Sequence, residues 1–318
     1  MAEKTININE LKSNMLLNDE HFIVDTIESK QSKQGKEYLN VVLKDKTGEL
    51  NGKVWTEQIA NIDKDITTGD IASVTGAIQI FNDKPQIVIN KMQKAHEVDL
   101  STFMKTTTRS VESMIEHIGS RIENISDSHI KDLCNRLWNG SLRDALIHYP
   151  AGMYVHHGYV NGLLEHYYEM ISISESISSL FPQLNQEILL AGILFHDIGK
   201  LEEYAYQGAS IITTKEGQLI GHITLGTLIL ERLCNEIDEF PTNIKDQITH
   251  IVLSHHGELQ YGSPVMPKTI EAITVYNLDA ISSKLHIALE HIERDINEGN
   301  EFTEFNRWMG VSILKNIK

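Results

Sequence analysis

Residues 188–200 read ILLAGILFHDIGK. The first eight have no polar face, so a helix made of them must be surrounded by other elements. That helix ends in His196 and Asp197, and so it carries an imidazole and a carboxylate into an apolar interior. An ionised carboxylate there is strongly disfavoured unless it is paired or bound to a metal. The stretch therefore predicts a helical bundle with a polar centre.

The sequence around it supplies partners. Helical periodicity runs from residue 151 to 293, with candidate helices at 158–174, 185–198, 219–237, 243–256 and 268–292. The chain has 15 histidines, and 11 of them lie between His148 and His291. Their phase is informative. His166 shares a face with Leu163, Met170 and Ile173, and His222 with Leu225, Ile229 and Leu233. His255 lies in the row of Ile244, Ile248, Ile251 and Val252, whereas His256 is turned about 100° away by the helical repeat. Asp279 sits among Ala272, Val275 and Tyr276, with His286 on the same side. Inward histidines and two aspartates from separate helices suggest one shared polar centre, and the interior of a bundle is where helical proteins build metal sites.

Ahead of this domain the period changes to two. The runs FIVDTIESK, EYLNVVLKD, LNGKVWT, DIASVTGAIQIF and PQIVINKM read as five short strands between residues 18 and 93, separated by turn signals. The longest gap, between the third and fourth, has room for a short helix. The count and spacing fit a small OB-type barrel. The expected fold class is thus α+β multidomain: an arm at 1–17, a five-stranded barrel at 18–93, a helical connector at 94–150, an all-α domain at 151–293 and a tail at 294–318.

Composition narrows the classes. At 318 residues the chain has room for two or three modest domains, and 41% hydrophobic with 23% charged residues is ordinary for a globular protein. A formal charge of −16 argues against a broad polyanion-binding surface, so any nucleic-acid contact must be local. No apolar run is long enough for a membrane span and the first residues lack a secretory pattern, so no membrane partner and a cytoplasmic location are expected. The two cysteines, Cys134 and Cys234, form no CxxC and support neither a disulfide framework nor a thiolate zinc site.

The ordered set His166, His196-Asp197, His222, His255-His256 and Asp279, with HDIGK at 196–200, resembles the HD-domain metal-dependent phosphohydrolases. The histidines between the HD pair and the final aspartate resemble the branch that holds two ions. The resemblance implies that Asp197 bridges both ions, with His166, His196 and Asp279 on the first and His222 and His255 on the second. His256 either joins the second ion or meets substrate. Imidazole and carboxylate ligands suit two divalent ions, manganese first by family analogy, with iron, cobalt, nickel or zinc also compatible.

The barrel resembles the OB-fold nucleic-acid-binding family, in the branch that includes anticodon-binding domains. Barrel and HD domain together, with the stretch from His156-His157 to His166, resemble the YhaM-type 3′-to-5′ exoribonucleases. The implied reaction is attack on a phosphodiester by a hydroxide held between the ions, releasing nucleoside 5′-monophosphates from single-stranded RNA, with single-stranded DNA a second candidate. Lys200 is expected to add charge at the phosphate, and His156 and His157 to line the substrate site. On the barrel, Lys30, Lys33, Lys36 and Lys84 stand near Tyr38 and Phe81, rings that either stack bases or, like Trp55, fill the barrel. His286 reads as a core or rim residue, and His21, His96, His117 and His129 as surface. The apolar tail suggests self-association. Two other functions compete: a nucleotide phosphohydrolase or cyclic-dinucleotide phosphodiesterase regulated by the barrel, and a single-strand-binding accessory without catalysis. The cyclic-dinucleotide reading ranks lower because GELQYGSPVMP follows His256 where that branch has a GYP-type sequence.

Overall fold

The computed structural model describes residues 4–32, 35–81, 84–96, 102–152, 157–295 and 299–315. The chain divides into two compact units, one of residues 1–106 with 205–212 and the other of 107–204 with 213–318.

The first unit is a closed barrel of β1 (Leu16–Gln31), β2 (Glu37–Asp45), β3 (Gly48–Val54), β4 (Ile71–Phe81) and β5 (Lys84–Lys94). Neighbours run in the order β1-β2-β3-β5-β4, and β1 pairs with β4 to complete the ring. All pairs are antiparallel except β3 with β5. A 3-10 helix at Thr56–Asn61 fills the gap foreseen between the third and fourth strands. Alternation sends Phe22, Val24, Val41, Leu43, Val74, Ile78, Ile87 and Ile89 into one core. The first strand starts earlier than its hydrophobic run suggests. Register shifts between Leu17 and Glu20 and between Val24 and Thr26 bend it, so that it pairs with two neighbours in turn. The arm also belongs to the barrel: Ile8 is buried in its core and Lys4 is paired with Asp45 at 3.0 Å.

The second unit is helical, with α1 (Val111–Glu123), α2 (Ser128–Trp138), α3 (Arg143–His148), α4 (Gly162–Leu180), α5 (Gln186–Phe195), α6 (Lys200–Glu203), α7 (Lys215–Ile220), α8 (His222–Asn235), α9 (Thr242–Ser254) and α10 (Ile270–Arg294). The short strands β6 (Tyr204–Gln207) and β7 (Ser210–Thr213) form a hairpin between α6 and α7. Side chains cap the helix starts as the sequence demands: Asp127 accepts from two backbone N–H groups of α2, and Asn185 from two of α5. α5 is buried nearly throughout, as its apolar composition requires. The helices at 111–148, expected as a connector, instead share the core of this unit: Met114, Ile118, Leu133, Leu137 and Leu146 lie in one cluster with Leu163, Leu194 and Val252. Their amphipathic stripes had to be buried somewhere, and this core takes them. Of the histidines expected at the surface, His96 is exposed, but His21, His117 and His129 are half-buried. Among the described residues no helix is long and apolar enough to cross a membrane.

Candidate metal centre and nucleic-acid face

Four helices and the turn after α5 bring the inward residues together. His166 comes from α4, His222 from the start of α8, His255 and His256 from the end of α9, and Asp279 from α10. His196 caps α5, and the chain then turns through Asp197 and Gly199 into α6. A side chain at Gly199 would collide with backbone, its Cβ falling 1.9 Å from the His222 carbonyl oxygen and 2.5 Å from the Gly226 nitrogen. Glycine therefore lets the turn press onto α8 and brings Asp197 against His222.

The Asp197 carboxylate has two separate sets of neighbours. Its Oδ2 lies 3.3 Å from His196 Nε2 and 3.9 Å from His166 Nε2, and His166 Nε2 is 3.4 Å from Asp279 Oδ1. Its Oδ1 lies 3.7 Å from His222 Nε2 and 3.6 Å from His255 Nε2. His256 joins this second side, with one donor atom from each of His222, His255 and His256 within 4.8 Å of one another. His166, His196, Asp197 and His255 are essentially buried.

The other face of each ring is held. His196 Nδ1 donates to the Ile193 carbonyl, His255 Nδ1 to that of Val252 and His256 Nδ1 to that of Tyr261, at 2.7, 2.7 and 2.8 Å. His222 Nδ1 is 3.2 Å from Glu203 Oε2, and His166 Nδ1 is 2.9 Å from Ser282 Oγ. Fixing the proton on Nδ1 turns the Nε2 lone pair toward the shared centre, as metal-ligating histidines require. Asp197 Oδ1, His222 Nε2 and His255 Nε2 are buried without a hydrogen-bond partner. Such atoms are costly to leave bare and are well placed as ligand atoms. With imidazole and carboxylate donors and no thiolate, the centre fits divalent metal ions.

The electrostatics agree. Burial alone would raise the Asp197 carboxyl, but Lys200, His196 and His255 hold it well below the usual carboxylate range. Asp279, half-buried and facing His166 and His196, is likewise held low. Burial, with His255 beside it, pushes His256 down to about 4, and burial does the same to His157. The rings of His255 and His256 are thus neutral near pH 7, the form that binds metal.

Lys200 is buried, with Nζ 2.6 Å from Asp197 Oδ2. His157, expected to line the substrate site, is fully buried, 3.3 Å from Glu169 and with its ring centre 3.6 Å from that of His286, the two rings tilted by 38°. It backs the centre instead of facing an open wall. His156 lies outside the described residues. Glu169, Ser282 and Glu203 were not foreseen. The available signal was spacing: Glu169 and Ser282 each follow an inward residue by three positions.

On the barrel, register settles which way the rings point. Val41, Leu43, Leu50 and Val54 face inward, so Tyr38, Lys53 and Trp55 share the outward face. The Tyr38 and Trp55 rings are 5.7 Å apart, and Lys53 Nζ lies 5.5–5.7 Å from the rings of Tyr38, Trp55 and Phe81. A cleft lined by Lys36, Tyr38 and Trp55 opens beside them. Lys53 was missed because its place among the rings depends on strand pairing. Lys30 and Lys36 are exposed and paired with Glu28 and Glu57, at 2.9 and 3.7 Å, and Lys84 is exposed at the start of β5. Lys33 lies outside the described residues.

Known families match both parts. The HD domain family matches residues 163–284, and the OB-fold nucleic acid binding domain family matches residues 23–95. The chain is thus a two-part protein, an OB-fold barrel followed by an HD domain. The 3′-5′ exoribonucleases YhaM of Listeria monocytogenes serotype 4b and serovar 1/2a are each 30% identical to it over 275 residues, 85% of this chain and 85% of theirs. The chain belongs to the YhaM 3′-5′ exoribonuclease family. A solved second OB-fold domain of replication protein A from Methanococcus maripaludis covers 29% of this chain and 96% of its own, at 22% identity and a TM-score of 0.24.

Proposed function

We propose that this protein is a metal-dependent 3′-to-5′ exoribonuclease that shortens single-stranded RNA to nucleoside 5′-monophosphates, with single-stranded DNA as a second substrate. The observation that carries the reading is the division of Asp197, one carboxylate oxygen toward His166 and His196, with Asp279 beside His166, and the other toward His222 and His255. On this reading Asp197 would be the ligand shared by two divalent ions, with His256 on the second. Manganese is the first choice among ions suited to nitrogen and oxygen donors.

Such a pair of ions supplies Lewis-acid polarisation of a phosphoryl oxygen and a nucleophile from water at neutral pH. The residues do the rest. The five Nδ1 atoms, each held by a partner, keep the rings oriented, and Lys200 brings a positive charge to the side of Asp197 where phosphate charge accumulates. The water oxygen bonds to phosphorus as the P–O bond to the upstream 3′ oxygen breaks, and that oxygen takes up the proton the water gave up, which leaves the phosphate on the released nucleotide's 5′ side. The barrel holds the strand by stacking on Tyr38, Trp55 and Phe81 beside Lys53, with Lys30, Lys36 and Lys84 as further cations. Self-association through the exposed Phe302, Phe305 and Trp308 of the tail is part of the proposal and is tested by solution molar mass with and without those rings.

The decisive experiment incubates the full chain with 5′-end-labelled RNA and Mn²⁺, then with a chelator, and repeats it with Asp197→Ala. A ladder of shortening products that requires both Mn²⁺ and Asp197 is expected. Intact RNA with phosphate released from free nucleotides points to a nucleotide phosphohydrolase, and binding without turnover points to a strand-binding accessory.

A further inference from the structure

Glu169 lies outside both ligand groups yet is tied to one of them. Its Oε2 accepts from Ser282 Oγ at 2.8 Å, and the same Ser282 oxygen is 2.9 Å from His166 Nδ1. Around the carboxylate stand His286 Nε2 at 3.0 Å, His157 Nε2 at 3.3 Å and Arg109 at 3.4 Å.

His157, Glu169 and His286 have the composition of a metal site, and their donor atoms fall within 4.8 Å of one another. The chemistry argues otherwise. The carboxylate already accepts from a guanidinium, a hydroxyl and the His286 imidazole, with the His157 ring beside it, and the adjacent Arg109 cation would repel an ion.

A serine hydroxyl has one proton. Because it is given to Glu169, the lone pairs of Ser282 remain to accept from His166 Nδ1–H, which leaves Nε2 of His166 unprotonated and facing Asp197 and Asp279. Without the acceptor at Glu169 the hydroxyl is free to rotate and donate to Nδ1, and the proton then moves to Nε2, the atom a metal needs bare. We propose that Glu169 is a positioning residue that sets the direction of this Ser282 relay and so fixes the ligand form of His166, while His157, His286 and Arg109 hold the carboxylate in place. The proposal rests on the two-ion reading above. The second side is built differently, with Glu203 meeting His222 directly.

Two measurements on the full chain test it. Mn²⁺ titration by calorimetry is done on the wild type, Ser282→Ala, Glu169→Leu, the double variant and Ser282→Thr. Two equivalents are expected in the wild type. In both single variants one equivalent weakens by roughly 10- to 100-fold, the range for lost support of a metal ligand, while the other stays within about twofold. The double variant is no weaker than Ser282→Ala, because the residues act in series, and Ser282→Thr restores binding. In metal-free protein, ring-nitrogen NMR reports His166 with its proton on Nδ1, and that preference is lost in Ser282→Ala and Glu169→Leu. Should Glu169→Leu not fold, the Ser282→Ala and Ser282→Thr pair carries the same comparison. Two equivalents with both variants unchanged overturn this proposal alone. Three equivalents in the wild type and two in Glu169→Leu overturn it in favour of a third metal site. No bound Mn²⁺ in the wild type overturns the two-ion reading itself.

Discussion

Lys200 Nζ stands 2.6 Å from Asp197 Oδ2, one helical turn along the chain, and both side chains are buried. The ammonium thus lies against the carboxylate that both halves of the centre share. Lys200→Met is expected to keep two Mn²⁺ equivalents and to lose turnover by about 10²–10³-fold, the scale for removing one preorganised charge donor. Calorimetry beside single-turnover RNA degradation checks this. Full turnover in the variant would reduce Lys200 to a structural counter-charge.

On the proposed two-ion reading, Asp197→Ala removes a ligand from both halves at once. Mn²⁺ should raise the melting temperature of the wild type and leave that of the variant unmoved, since a ligand stabilises only the state that binds it, by about 2.7 kcal/mol at 100 times its dissociation constant. Equal shifts in both proteins would place the ions elsewhere.

Acid should destabilise the metal-free protein. His157 and His256 have pKa values of about 4 in the fold, against 6.5 for an ordinary histidine, so between these values the unfolded chain binds more protons. Their contribution is present above about pH 6.5 and is lost as the pH falls toward about 4. Asp197 and Asp279, both held low, extend the loss below the usual carboxylate range. His196 acts the other way: burial lowers it, but Asp197 beside it raises it further, so its contribution is lost as the pH rises through that raised value. Chelated protein melted across this window should lose stability steadily on the acid side. A flat profile from about pH 6.5 to about 4 would contradict the burial of the two rings.

Strand holding by the barrel predicts a split phenotype. Trp55→Ala or Lys53→Ala should weaken binding of a single-stranded oligonucleotide, by about 1–3 kcal/mol for a lost stacking ring, and leave hydrolysis of a small phosphodiester unchanged. Oligonucleotide affinity by anisotropy beside a chromogenic diester assay distinguishes the two. Equal losses in both assays would mean that the face does more than hold the strand.

The residues at the centre were legible because each sits in phase with apolar neighbours, and an imidazole or carboxylate in such a row stands out. Glu169, Ser282 and Glu203 were not, because the three-residue spacing of Glu169 and Ser282 from an inward neighbour is shared by many surface residues, and which polar groups meet the centre is decided only once the helices are packed. The five strands were read from alternation, but the start of β1 was hidden by Asn14 and Asp19, both in the left-handed region, which read as turn residues. The outward direction of Tyr38 and Trp55 needed the pairing register, which local sequence does not contain.

The hairpin at 205–212 sets a condition on how the barrel unit is made. The turns at Gly208 and Gly69 approach so closely that a Cβ on either would strike the backbone of the facing segment, at 2.2 and 1.6 Å, and Ala209 shares a small apolar cluster with Ile23, Ile71 and Phe103. That cluster is complete only when a segment made more than a hundred residues later arrives. A fragment ending at residue 106 would lack the Ala209 side of that cluster, so the excised N-terminal piece should be stickier and less stable than its closed ring of strands suggests.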